Sequence, residues 1–549
     1  MSASAPVALR DPECVMRLAR LGSSHPTRLS FLYAMLRRLQ REGWTFDRPL
    51  FQLDDRGVGR AVYTVRGPER TYSLVAFAHD LPDHLRSDRV IATRWDATFA
   101  LHDGVPSAED LDRLEANVPL QEAGRISPRE LTLARANRSV RLFEHVVESL
   151  AAGRQPDPAE VAPVGYLMRT TAVYGSGKFG AADRALIADR AELKGPFQAE
   201  MLTVWLIRAF TVDLVEHLAA VRGGDRAVPL DPAMRRRFGV GNSTGLGMAP
   251  FLVNHPVLLN NWVMAREKAL AAVRALPDAT PRARAAFADA LAAARANAAA
   301  WRSDHPLQIE KLADLRHDLA LVEASADAHL CAPSPWDALW RWGEATLSLE
   351  GQEALLALLL EPHGDVVDAL CETMDADEGA HFRIDGAMTV GALRDLLAGP
   401  YRWALAPDYA SREESARFWY VSEEKLEPRL GERHEEDGAE REDPLGVGRD
   451  VAALAAALAK RPAEEPLATF LMAEPGHRHV VRRVQIGARH PYAEVHDNLL
   501  SSTMMPIDLL RAKLAFFGAT RFDPRSDRWV RIALFQEAPF PHEHLEATV

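Results

Sequence analysis

Gly59-Arg60-Ala61-Val62-Tyr63-Thr64-Val65-Arg66 and Arg70-Thr71-Tyr72-Ser73-Leu74-Val75-Ala76-Phe77-Ala78 stand on either side of Gly67-Pro68-Glu69. Two short runs rich in Val, Tyr and Thr across a Gly-Pro turn predict a β-hairpin. Residues 89–102, ended by Asp103-Gly104, add a third strand. Ahead of them, Leu29, Leu32, Leu36 and Leu39 recur at spacings of three and four and predict a helix over 26–42. Residues 1–125 thus read as an α+β region with antiparallel strands.

Outward from that sheet the pattern becomes helical. Ser127 followed by Glu130 reads as a capping box, and Leu133, Ala136, Val140, Phe143, Val147 and Leu150 behind it form one apolar stripe. Pro and Gly punctuation sets further helices at 196–221, 256–274, 281–302, 307–330, 336–349 and 352–361. Residues 126–375 are read as a helical body. Residues 376–475 are read as a helical and loop region whose acidic segment 427–450, with few apolar anchors, is expected to be mobile. Residues 476–549 close the chain as an α+β segment, with strands at 479–486 and 529–536 and a helix near 507–517. The expected fold class is α+β, predominantly α-helical. A large helical body carries a small antiparallel β-sheet region built from N-terminal strands, with the C-terminal strands either joining it or forming their own.

Composition bounds the function. The chain has 549 residues, 47% hydrophobic and 26% charged, which suits a folded multidomain protein and excludes a disordered or collagenous one. A net charge of −12 argues against nucleic acid or an acidic membrane as partner. The most apolar stretch, 201–218, contains Arg208, Asp213, Glu216 and His217, so it is expected to be a buried helix rather than a membrane span. Three widely spaced cysteines argue against a disulfide framework, and 1–20 lacks an uninterrupted apolar signal core, so a cytoplasmic location is expected. Lysine is scarce: Lys178, Lys194, Lys268, Lys311, Lys425, Lys460 and Lys513 are the seven among 65 basic residues, which directs attention to lysines in unusual settings.

Two Gly-rich runs are the main candidates for chemistry. Tyr174-Gly175-Ser176-Gly177-Lys178-Phe179-Gly180 has the spacing of a dinucleotide loop, but Arg169-Thr170-Thr171-Ala172-Val173 ahead of it is too polar for the central parallel strand such a loop needs. It reads as a turn between helices, or as a loop presenting Lys178 and free amides to an anion. Gly239-Val240-Gly241-Asn242-Ser243-Thr244-Gly245-Leu246-Gly247 reads as a loop of left-handed or closely approached backbone, either a tight helix crossing or a ligand cradle with His255 nearby as acid or base.

Three weaker signals complete the set. His477 and His479 would share one face of a strand and could bind a metal together, with His490 and His496 in the same cluster. Leu500-Ser501-Ser502-Thr503-Met504-Met505-Pro506 superficially resembles the serine loop of fumarase and aspartase lyases. It has one residue more before Met505-Pro506, no glycine before the serines and Asp508 in place of the lysine, so Ser501 and Ser502 read as helix caps and the family is not assigned. Asp213, Glu216 and His217, one turn apart, either pair structurally or face a cleft.

The expected function is an enzyme acting on a small anionic organic metabolite bound by 175–180 and 239–247. His255, Lys178 and Ser243 are its candidate catalytic residues, and Arg169, Ser176, Gly177, Asn242, Thr244 and Gly245 its substrate-binding residues. Reaction class, cofactor and oligomeric state are left open. The alternatives are a non-enzymatic helical scaffold and a metal-dependent hydrolase built on the histidines of 477–497.

Overall fold

The computed structural model describes residues 7–85, 94–120, 127–172, 187, 189–244, 255–303, 306–374, 382–409, 417–421, 426–430, 441–444, 447–496, 506–519, 521–523, 530–541 and 543. The strands, in chain order, are β1 (Thr45–Leu53), β2 (Gly59–Arg66), β3 (Thr71–Ala78), β4 (Ala97–Asp103), β5 (Glu130–Arg138), β6 (Tyr166–Thr170), β7 (Gly239–Thr244), β8 (Arg417–Val421), β9 (Leu426–Leu430), β10 (Arg441–Pro444), β11 (Arg521–Asp523) and β12 (Val530–Leu534).

The predicted hairpin is present as β2 and β3 in antiparallel register from Gly59↔Ala78 to Arg66↔Thr71. It is the start of a much larger sheet, ordered β1-β2-β3-β4-β5-β6-β7-β12-β11, that curls into a half-barrel. The expectation of a small antiparallel sheet is therefore corrected: the sheet is large and mixed, beside a helical content of 54%. β12 pairs with β7, so strands from both ends of the chain share one sheet. A separate three-stranded sheet, β10-β8-β9, takes up part of the segment expected to be a loop.

Burial on both faces hid two strands, β5 and β6, from periodicity, and glycines hid a third. β5 lies where the apolar stripe predicted a helix, and the helix begins only at Phe143. Both faces of β5 are covered: Leu133 packs with Val62, Val75 and Leu114, while Ala134 and Ala136 join the main core. Burial on both sides removes the alternation that marks a strand. All five residues of β6 are buried, and it takes in Arg169 and Thr170, the first two residues of the stretch judged too polar for a central strand. β7 occupies the start of the run read as a loop.

In β7 the glycines answer to packing rather than to backbone strain. A Cβ at Gly239 would stand 2.4 Å from the Leu534 carbonyl oxygen, and one at Gly241 would stand 2.7 Å from the Tyr166 ring. Substituting Gly241→Ala is expected to destabilise the fold by about 1–3 kcal/mol through overpacking, read as a lower urea midpoint. An unchanged midpoint would mean that the ring moves aside freely.

β6 and β7 are the parallel neighbours of the large sheet, with Arg169 opposite Gly241. Parallel strands need a crossover. The helix Gln198–Gly223, 26 residues long, is its longest described element and is largely buried under the sheet from Gln198 to Ala219. Its charged residues are satisfied structurally. Arg208 donates to the carbonyls of Phe238, Ala538 and Arg236. Asp213 accepts from Tyr63 and Arg48, Glu216 from Arg235, and His217 meets the Asp54 carbonyl. No helix among the described residues is long and apolar enough to cross a membrane.

The segment expected as a strand at 479–486 is the helix Arg478–Arg489. Val480, Val481 and Val484 fall on one helical face and close a second core with Val390, Leu393, Val451 and Leu454. The i, i+2 geometry invoked for a metal is thereby lost. His477 stacks on Phe470, and His479 bonds the Gly476 carbonyl and reaches Asp450. Among the described residues no group of three His, Cys, Asp or Glu is placed to hold a metal ion.

Candidate functional site

The chain leaves β6 after Thr170 and β7 after Thr244, at the same end of two adjacent parallel strands. In open α/β sheets the carboxyl ends of parallel strands are where ligands enter, because the connecting segments diverge there. At this edge Asn242 is buried, and its side chain is fixed from two sides. Its Nδ2 donates to the Thr170 carbonyl oxygen at 2.9 Å, and its Oδ1 accepts from Lys513 Nζ at 3.0 Å. A backbone carbonyl can only accept, so the Thr170 contact decides which end of the amide faces the lysine.

Lys513 comes from far along the sequence. The helix Pro506–Ala512 passes into a π-helix, Lys513–Phe517, closed by Gly518 in the left-handed region at φ 85°. A π turn widens the helix by one residue, a distortion often found at functional sites. Leu514, Ala515, Phe516 and Phe517 are all buried, and Lys513 itself is only 4% exposed. The surroundings are aromatic: Nζ lies 5.5 Å from the Phe517 ring centroid, and Phe517 packs on Phe31, Phe197 and Trp262. Among the described residues the Lys513 amine forms no ion pair, and Asn242 is its one hydrogen-bond partner. Burial brings the amine down from 10.5 to about 7. Its free base is therefore well populated near neutrality, where an ordinary lysine is almost wholly charged.

The sequence-predicted residues fare unevenly. Lys178, Ser176, Gly177 and Gly245 lie outside the described residues, as do Ser501 and Ser502. Ser243 and Thr244 are on β7, opposite Arg531 and Val530. Asn242 is in the group just described. Arg169 is buried on β6, but alternation along the strand sends its side chain to the face opposite Thr170, the face shared with Asn137. His255 is exposed immediately before the helix Pro256–Arg274, where its carbonyl accepts from Leu259. The structure thus pairs Asn242 with Lys513, a residue not singled out from sequence. The signal was there: one of the few lysines of an arginine-rich chain sits inside Leu509-Leu510-Arg511-Ala512-Lys513-Leu514-Ala515-Phe516-Phe517.

Removing the Asn242 side chain would strip acceptor and donor together. Asn242→Ala is expected to cost about 1–3 kcal/mol by leaving the Thr170 carbonyl and the Lys513 amine unsatisfied. Chemical denaturation at pH 7 reads the loss, and a loss below the error of the measurement would show that water replaces both bonds.

Comparison with protein-family models, with curated proteins and with solved structures finds no match in any of the three.

Proposed function

We propose that the chain is an enzyme acting on a small anionic organic metabolite, with the Lys513–Asn242 pair at the carboxyl edge of β6 and β7 as its reactive centre. The observation that carries this reading is a buried amine whose one hydrogen-bond partner among the described residues is an amide oxygen. Several other deeply buried cations among the described residues are neutralised or saturated: Arg10 and Arg266 by Glu267 and Glu353, Arg511 by Glu350, and Arg208 by three carbonyls. Burying a cation without such partners costs several kcal/mol, and a methionine would fill the same space without that cost. A lysine kept in this setting supplies an uncharged nucleophilic and basic nitrogen, as catalytic lysines do. The anionic character of the ligand is supported by sequence: Gly175, Gly177, Lys178 and Gly180 follow β6, and Gly245 and Gly247 follow β7. Backbone amides freed by glycine, beside a lysine, suit a carboxylate or phosphate.

Thermal-shift screening tests the reading. Small carboxylates and phosphates are expected to raise the Tm of the wild type and not of Lys513→Met or Asn242→Leu, whose folding is checked by circular dichroism. No response to any compound, or equal responses in all three proteins, would leave the pair a packing feature.

A further inference from the structure

We infer that Lys513 is a covalent site, capturing a small 2-oxo acid or other carbonyl compound as an imine. The inference rests on the pair being the reactive centre and names the class of substrate it takes.

The argument is one of valence and geometry. Asn242 Oδ1 can receive only one of the amine's hydrogens, and Thr170 holds that oxygen in place. The lone pair of the free base therefore points away from Asn242, whatever the rotation of the remaining hydrogen. That nitrogen attacks a carbonyl carbon, forming the C–N bond. Both amine hydrogens leave with the carbonyl oxygen as water, and the C=N bond remains, with no oxidant or reductant required. Once protonated, the imine nitrogen carries a single hydrogen, and Asn242 Oδ1 already lies where that hydrogen needs its acceptor. A carboxylate oxygen in this position would instead hold the amine as an ammonium without a lone pair, and among the described residues Lys513 has no such partner.

The surroundings fit the same step. The Phe517 ring lies beside the amine with Phe197, Phe31 and Trp262 packed on it, an apolar setting that disfavours hydrolysis of the imine. The widened turn at Lys513–Phe517 departs from α-helical hydrogen bonding at the lysine itself, a distortion often found at functional sites.

The experiment is reductive trapping on the full chain. Wild type is incubated at pH 7.5 with pyruvate, glyoxylate or acetaldehyde and sodium cyanoborohydride, then read by intact mass and peptide mapping. The expected result is one adduct per chain, on the peptide holding Lys513, formed at least tenfold faster than on Lys194, Lys268, Lys311 or Lys460. Asn242→Ala is expected to slow it. Mapping on the wild type needs no variant to fold. Labelling spread over the other lysines with none on Lys513 would overturn the imine. If a compound raises the Tm of the wild type and not of Lys513→Met yet leaves no adduct, the imine alone is lost and the reactive centre stands. If nothing shifts and nothing is trapped, both are lost.

Discussion

Glu353→Ala is expected to lower stability by about 3–5 kcal/mol, the size of effect seen when one partner of a buried ion network is removed. Glu353 sits at the middle of such a network. Arg10 bridges it to Glu267 with bonds of 2.8 Å to each, Arg20 reaches it at 3.3 Å and Arg266 at 3.5 Å. The Glu353 side chain is 1% exposed and that of Glu267 is fully buried, so solvent cannot take over from the lost carboxylate. The network also fastens the N-terminal segment to the body. Tyr492 donates to the Arg10 carbonyl, and Arg511, held by Glu350, donates to those of Leu18 and Gly22. Urea denaturation of wild type and variant measures the effect, and a difference under about 1 kcal/mol would place the network in the class of weak surface pairs.

The same residue gives a pH dependence. Burial opposes ionisation of Glu353, but the charges of Arg10 and Arg266 outweigh it and bring the carboxyl from 4.5 down to about 2. A depressed carboxyl contributes stability that is full above the unfolded value and is lost as pH falls through the folded one. The advantage of wild type over Glu353→Gln is therefore expected to hold above pH 4.5 and to fade between 4.5 and about 2.

Lys513→Met is expected to move in the opposite direction, raising stability at pH 7 by on the order of 3 kcal/mol while abolishing ligand response. The amine falls from 10.5 in the unfolded chain to about 7 in the fold. Between these values the unfolded chain binds the extra proton, so wild-type stability rises with pH across that interval. The margin of the methionine variant is thus expected to be largest below pH 7 and to close as pH approaches 10.5. Paired denaturation series at pH 6, 8 and 10 read this directly. A methionine variant less stable than wild type at every pH would mean that the lysine is there to hold the structure. A trade of stability for an uncharged amine is the usual signature of a residue kept for chemistry.

Much of the helical body was legible because it is written locally. Pro256, Pro281, Pro306 and Pro335 each stand at the first position of a helix, where a missing N–H costs nothing. The hairpin of β2 and β3 was equally plain from its turn and its β-branched runs. Reading failed where tertiary burial replaced local pattern. β5 and β6 are covered on both faces and lose alternation, and valines at 480, 481 and 484 serve a helix face as readily as a strand. The glycines of β7 looked like a loop because nothing local shows that Tyr166 and Leu534 press against them.

Composition, charge and punctuation by themselves determined a folded, helix-rich chain with a β-hairpin near its start, since these depend on residues within a few positions of one another. Only the tertiary structure decided that strands from both ends join one sheet and that Asn242 meets Lys513 across 271 positions. No spacing in the chain encodes that meeting. It is produced by the parallel pairing of β6 with β7 and by the burial of a π turn against them, and a lysine becomes unusual only once its neighbours have removed the water around it.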